Sequence, residues 1–330
     1  MEIKKNKDAE YLYASARVRA AENRLIGSDK LEAALAAKDS TEVMALINSL
    51  EAGTEGENRL SEALGAAYSF IEDVSPDKNI AFFLRYVYDC NNIKSAIKCF
   101  IRGIECDEML FSFGTVPLES IKEMPQTQDY SALPGHMREA AQKAYEAYAK
   151  SKNPQLIDMM LDRACFEDML EAAKESGDDF AIRLVREKID LVNILMCTRV
   201  LRMGGGELER EMLSSSLING GELSPKVLFE ASIKGEDGIA IVLKSTGYAP
   251  LARWFSENDR ASLSAIECAL DNFYMKTVQG AKYIPFGAAI LCAYPIAVEY
   301  LVKNLRIILA GKEAGLSAEK LRGRVRMGYV

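Results

Sequence analysis

DCNNIKSAIKCFIRG, residues 89–103, decides the fold because the chain writes a version of it three times. DLVNILMCTRVLRMG begins at Asp190, and LVKNLRIILAGKEAG begins at Leu301. Each version places an Asn at its fourth residue (Asn92, Asn193, Asn304) and a Gly eleven residues later (Gly103, Gly204, Gly315). In the first copy Ile93, Ile97, Phe100, Ile101 and Ile104 fall on one face at helical spacing, with Lys94, Ser95, Lys98 and Arg102 opposite. The spacing predicts an amphipathic helix closed by a glycine turn and used once in each third of the chain. Asp89 with Asn92, and Asp190 with Asn193, recur as a pair. A buried amide can donate and accept at once and fix helix register, so these positions read as architectural.

The repetition extends outward. SDKLEAALAAKDSTEVMALI (28–47) resembles SPKVLFEASIKGEDGIAIVL (224–243), each opening on a Ser expected to cap a helix. TVPLESIKEM (115–124) and LSAEKLRGRV (316–325) read as shorter relatives. LIDMMLDRACFEDMLEAA (156–173) and LSAIECALDNFYMKTV (263–278) carry apolar faces ahead of the long helices. No run of alternating β-branched residues stands out, so the expected fold is all-α. Breakers fall at 53–57, 75–77, 125–134, 203–206 and 218–225, and KEMPQTQDYSALPG (122–135) reads as an exposed loop. Three similar helical bundles follow: 1–113 with an extra long helix at 8–26, 114–220, and 221–330 with a basic C-terminal helix at 317–327. A period this long disfavours a thin solenoid.

Composition narrows the function. A chain of 330 residues has room for two or three domains, and 49% hydrophobic with 27% charged residues is a globular balance. A net charge of −7 argues against a dominant nucleic-acid surface. The opening EIKKNKDAE is too charged for a secretory segment. The longest uncharged run, IPFGAAILCAYPIAV (284–298), has 15 residues with Pro285, Gly287 and Pro295 inside it. A membrane span needs about 20, so a buried helix with a proline-marked bend is expected. Seven cysteines (90, 99, 106, 165, 197, 268, 292) form no CxxC pair, which fits reduced thiols.

Catalytic constellations are hard to assemble. His136 is the only histidine, which removes His-rich metal sites and most His-dependent acid–base schemes. MGGGEL (203–208) lacks the lysine of a phosphate loop and reads as a helix-ending turn. Asp158 and Asp162 lie one helical turn apart with Glu167 and Asp168 beyond; such carboxylates can bind a cation, but here they read as a solvated acidic face. No catalytic residue, cofactor or metal ligand is expected. Two basic clusters remain as candidates for docking an acidic protein partner: Arg17, Arg19 and Arg24 in SARVRAAENRL, and Arg322, Arg324 and Arg326 with Lys320 in the tail. An ordinary solvated surface is the alternative for both. The residues by themselves describe a non-catalytic helical scaffold.

YLYASARVRAAENRLI (11–26), DCNNIKSAIK with its trailing RGI, KIDLVNIL (188–195) and KNLRIILAGKEAGLSAEKLRGR (303–324) occur in this order along the chain. Together they resemble the C subunit of archaeal and bacterial V/A-type rotary ATPases, related to the d subunit of the eukaryotic vacuolar pump. The resemblance implies three bundles around a pseudo-threefold axis, arranged as a funnel. It implies a central-stalk rotor subunit, a socket joining the central shaft (D- and F-type subunits) to the membrane proteolipid ring during proton or other ion transport. Such a subunit sits at the cytoplasmic face of the membrane through its complex, without inserting and without nucleic acid. Two departures stand out: Leu301 occupies the slot of Asp89 and Asp190, and Pro295 lies inside the third long helix. A helical adaptor that binds protein or RNA through its basic tail is the other reading.

Overall fold

The structure, a computed structural model, describes residues 10–48, 57–77, 80, 82–204, 206–259 and 261–330. The first residues of the helix expected at 8–26, most of the breaker at 53–57, and Gly205 of the 203–206 turn lie outside them. The described residues form sixteen α-helices and short 3₁₀ turns, with no strand among them. Contacts divide the chain into two compact units, one made of 1–78 and 230–330, the other of 79–229.

The first unit begins with α1 (Leu12–Glu22), α2 (Ser28–Ala36), α3 (Ser40–Asn48) and α4 (Glu57–Val74). The second holds α5 (Phe82–Arg102), α6 (Leu118–Thr127), α7 (Gly135–Ser151), α8 (Gln155–Ser176), α9 (Asp179–Arg202) and α10 (Glu207–Ser216). After α11 (Pro225–Ile233) the first unit continues through α12 (Glu236–Lys244), α13 (Ala249–Glu257), α14 (Leu263–Gln279), α15 (Ala288–Glu313) and α16 (Ala318–Arg322).

The three repeated helices are α5, α9 and α15, and the glycines that follow them take positive φ: 65° at Gly103, 104° at Gly204 and 68° at Gly315. Ile104 N–H reaches back to Cys99 C=O (3.1 Å) and Leu316 N–H to Gly311 C=O (2.8 Å). These six-to-one bonds use carbonyls that a helix end would otherwise leave unpaired, and only glycine reaches that conformation without strain. Asp178 caps α9 through Ala181 N–H (2.8 Å), and Ser262 caps α14 through Ala265 N–H (3.2 Å).

In the second unit α8 is central, packing against α7, α5 and α9. Ile93, Ile97, Ile157, Leu161 and Leu184 are wholly buried there. In the first unit α15 is central, packing against α1, α3 and α4 and burying residues around most of its circumference. It is the one described helix long and apolar enough to cross a membrane, and 78% of its apolar window is covered by the protein itself. It runs unbroken through Pro295, which is buried.

Four local expectations differ from the structure. The helix expected to reach residue 26 ends at Glu22, and Arg24 lies in the turn beyond it. Helix α6 continues through Pro125 to Thr127, where Gln128 turns left-handed (φ 55°). Ile121, Met124 and Pro125 form its buried stripe, and Tyr130 and Leu133 beyond are also buried, so 122–135 is not an exposed loop. Burial of that stripe outweighs the hydrogen bond Pro125 cannot donate. Ser28 is the first residue of α2, capped by Gly27, and its hydroxyl faces Val330 C=O (3.4 Å) instead. The C-terminal helix stops at Arg322 because the backbone at 326 and 327 is drawn into pairing with Asn304 and Asn272.

Candidate functional site

Each repeated asparagine pairs with both backbone groups of a single residue in the segment after its helix. Phe111 N–H donates to Asn92 Oδ1 (2.8 Å), and Asn92 Nδ2 donates to Phe111 C=O (2.9 Å). Asn193 does the same with Ile218 (2.9 and 2.8 Å), and Asn304 with Arg326 (2.8 and 2.8 Å). All three side chains are buried. The amide acts as a one-residue strand partner and satisfies a donor and an acceptor that would otherwise be stranded away from water.

The aspartates extend this latch. Asp89 accepts from Thr115 N–H (2.8 Å), Val116 N–H (3.0 Å) and the Thr115 hydroxyl (2.5 Å). Asp190 accepts from Glu222 N–H (2.8 Å) and Leu223 N–H (3.1 Å). The donors are the fourth and fifth residues after Phe111 and after Ile218, so the two latches share one register. Arg85 braces the first loop through Phe113 C=O (2.9 Å) and Gly114 C=O (2.6 Å). Burial pushes the Asp89 carboxyl above its ordinary pKa, against the opposing pull of the bonds from Thr115 and Val116.

The third latch is built differently. Leu301 stands in the aspartate slot, bordering a cavity of about 400 Å³ with Leu31, Asn304 and Tyr329. Here α14 supplies the missing polarity. Asp271 pairs with Arg326 (3.0 Å), and Asn272 Oδ1 accepts Met327 N–H (2.7 Å). Gln279 donates to Gly328 C=O (2.8 Å), and Lys282, just beyond α14, to Tyr329 C=O (2.8 Å). The Tyr329 hydroxyl donates to buried Glu22 on α1 (2.8 Å), which ties the tail to the N-terminal helix. Burial and then that bond to Glu22 push the phenol far above its ordinary pKa.

The six candidate arginines fall into two groups. Arg19 is engaged inside the first unit, with Glu22 (2.7 Å), Ala281 C=O (2.6 Å) and Ile284 C=O (2.7 Å). Arg322 forms a forked pair with Glu32 (2.8 and 3.1 Å), and buried Arg326 holds Asp271 and Arg324 C=O. Arg17, Arg24 and Arg324 are exposed. Arg17 pairs with no carboxylate among the described residues; it donates to Tyr13 Oη (2.6 Å) and lies over the Phe70 ring.

The acidic stripe on α8 is not simply solvated. Asp158 and Asp162 pair with Lys98 and Lys94 of α5 (2.5 Å each), a relationship that the sequence around either residue does not show. His136 lies half-exposed in the first turn of α7, 3.4 Å from Glu171. His136, Asp168 and Glu171 could converge on a cation, but both Asp168 oxygens accept backbone N–H groups, from His136 and Met137 (2.8 Å each). Asp168 is thus an N-cap of α7 supplied by α8, and its donor set fits a helix end rather than a metal. Asp168, Asp271, Asn272, Gly114 and Gly221 were not marked by recurrence within the long helix and escape a reading based on it.

A family model described as "ATP synthase (C/AC39) subunit" matches residues 14–324. The chain is 27% identical to the C subunit of the A-type ATP synthase of Methanocaldococcus jannaschii, across 95% of this chain and 86% of that one. It is 26% identical to the C subunit of the V-type sodium ATPase of Enterococcus hirae, across 83% and 82%. With the C subunit of the A-type ATP synthase of Methanosarcina barkeri the identity is 23%, across 98% and 94%. The matched span takes in all three latch helices, α5, α9 and α15, together with the described α1 from residue 14 onward. The chain belongs to the ATP synthase (C/AC39) subunit family.

Proposed function

We propose that this chain is the non-catalytic central-stalk subunit of a V/A-type rotary ATPase, a socket that couples the central shaft to the membrane proteolipid ring during ion transport. The family match over 14–324 carries this reading. In it, the bundles 1–113, 114–220 and 221–330 form a pseudo-threefold funnel held at the cytoplasmic face of the membrane through the complex. A coupler makes and breaks no bonds; it must resist twisting. The latches support that demand, since each ties a long helix to the segment that follows it, and close-packed helices deform little under load.

Contacts with D- and F-type shaft subunits would draw on exposed Arg17, Arg24 and Arg324, while Arg19, Arg322 and Arg326 shape the surface around them. The RNA-adaptor reading has less support, because Arg322 and Arg326 are already paired with Glu32 and Asp271. Affinity purification of the tagged chain from its own membranes tests the proposal. Recovery of shaft and ring subunits is the expected result. Recovery of neither, together with RNA binding that falls steeply with salt, would overturn it.

A further inference from the structure

Asn219 and Gly220 lie between the two grips of the second latch. Asn193 holds both backbone groups of Ile218, and Asp190 holds the N–H groups of Glu222 (2.8 Å) and Leu223 (3.1 Å), so only 219–221 span the gap. That span has little slack: Gly221 sits against Asp190 and Gly220 against Leu170 of α8, each too close for a Cβ. Gly220 takes φ 106°, and Asn219 is exposed. Among the described residues the Gly220 N–H donates to no other group. The sequence contains Asn-Gly once, at this place. Ser112 and Phe113 hold the matching positions in the first latch, and Met327 and Gly328 in the third, so the chemistry of an Asn-Gly pair is confined to the second.

We propose that Asn219 deamidates spontaneously in the folded protein, and that the isoaspartyl product releases the second latch. The Gly220 backbone nitrogen attacks Asn219 Cγ; an N–C bond forms, the Cγ–Nδ2 bond breaks, and ammonia leaves with the proton of the Gly220 amide. Glycine has no Cβ to hinder that approach, and its N–H has no bond to give up. Water then opens the succinimide. Attack at the α-carbonyl, the more electrophilic of the two, gives isoaspartate, and attack at Cγ gives aspartate. The sum is one water consumed and one ammonia released, with no oxidant or enzyme. Isoaspartate routes the main chain through Cβ and Cγ, which lengthens it by one carbon–carbon bond, about 1.5 Å. Gly220 and Gly221 cannot take up that length inward, because Leu170 and Asp190 already fill the space. The extra atom therefore shifts 222–223 off Asp190, and the new carboxylate adds negative charge beside that residue. Aspartate, by contrast, adds the charge and keeps the register.

The test is ageing of the full folded chain at mildly alkaline pH, followed by anion exchange to separate the more acidic form and peptide mapping to locate isoaspartate. Isoaspartate should accumulate at 219 ahead of every other asparagine, and Asn219→Gln, which must close a larger ring, should stay intact. In the separated aged form, amide exchange at Glu222 and Leu223 should quicken about tenfold, as the loss of one such hydrogen bond predicts. Thr115 and Val116 in the first latch should keep their protection. Asn219→Asp, freshly prepared, carries the charge without the longer backbone and should exchange at 222 and 223 like the unaged wild type. An intact Asn219 after ageing overturns the proposal, whether or not the same chain deamidates in urea. Isoaspartate at 219 with unchanged exchange at 222 and 223 overturns the release of the latch, and fast exchange in Asn219→Asp would assign the release to charge instead of length and overturn it equally. None of these outcomes depends on the rotor reading.

Discussion

Gly114 lies against the carboxylate of Asp89 so closely that a Cβ would collide with Oδ1, and Gly221 stands in the same relation to Asp190. Neither glycine has a positive φ, so space and not backbone conformation demands the missing side chain. Each is the third residue after the one held by the latch asparagine. In the third latch that place belongs to Tyr329, opposite Leu301. Close approach and carboxylate are present together in two copies and replaced together in the third.

Gly114→Ala and Gly221→Ala should therefore each destabilise the protein by about 2 kcal/mol, since the carboxylate must move off its backbone donors to admit a methyl group. Urea unfolding measures this. A change within a few tenths of a kcal/mol in either variant would mean that the loop shifts freely and the close approach is incidental.

Replacing a latch asparagine strands two backbone groups at once. Asn92→Ala and Asn193→Ala should cost about 2–4 kcal/mol each, from the lost pair of bonds and the desolvated groups left behind. Asn92→Asp is the sharper variant: ionised, it keeps an acceptor for Phe111 N–H but cannot donate to Phe111 C=O, and it buries a second carboxyl near Asp89, so it regains a donor only by taking up a proton. It should be no better than alanine. Asn304→Ala should be milder globally, because Asn272, Gln279 and Lys282 still hold the tail, and should show as faster amide exchange at 326–327.

Burial raises the carboxyl pKa of Asp89 and of Asp168, outweighing the backbone bonds each accepts. The folded state therefore favours their protonated forms more than the unfolded chain does. Their contribution is fully present below the unfolded pKa and is lost as pH rises through the folded one. Acidifying from neutral into the ordinary carboxylate range should thus stabilise the wild type relative to Asp89→Asn and Asp168→Asn, the reverse of ordinary acid sensitivity. Melting temperatures of the three proteins across that range give the answer; parallel curves would mean that these groups do not titrate with folding.

Helical class and the three glycine turns are legible because they depend on spacing inside a single element, and α5, α9 and α15 keep that spacing. The partners of the latch asparagines are not, since the intervening segments differ in length: 19 residues to Phe111, 25 to Ile218 and 22 to Arg326. A search for a fixed repeat passes over Gly114 and Gly221, which align only once Phe111 and Ile218 are matched. The rule that proline ends a helix fails at Pro125 because Ile121 and Met124 have a core to enter, a fact of tertiary packing. Asp158 and Asp162 look solvated for the same reason: Lys94 and Lys98 are sixty or more residues away in sequence.

Arg17, Arg19 and Arg24 look alike in the sequence and part company in the structure. Arg19 donates to two carbonyls, at Ala281 and Ile284, that are over two hundred and sixty residues away, and pairs with Glu22, whose other oxygen accepts from Tyr329. Removing its guanidinium leaves those carbonyls and a buried carboxylate short of a donor, so Arg19→Ala should cost about 2–3 kcal/mol. Tyr329→Phe should cost about 1 kcal/mol by the same route and loosen α1, read as faster amide exchange there. Arg17→Ala and Arg24→Ala, both exposed, should change stability by less than about 0.5 kcal/mol. A shaft-binding measurement on the same set should invert the order: Arg17→Ala and Arg24→Ala lose affinity while folding normally, and any loss in Arg19→Ala should follow its loss of stability. Arg19→Ala that unfolds like the wild type yet fails to bind the shaft would assign Arg19 to the interface and remove its role as a tie between α1 and the 281–284 turn.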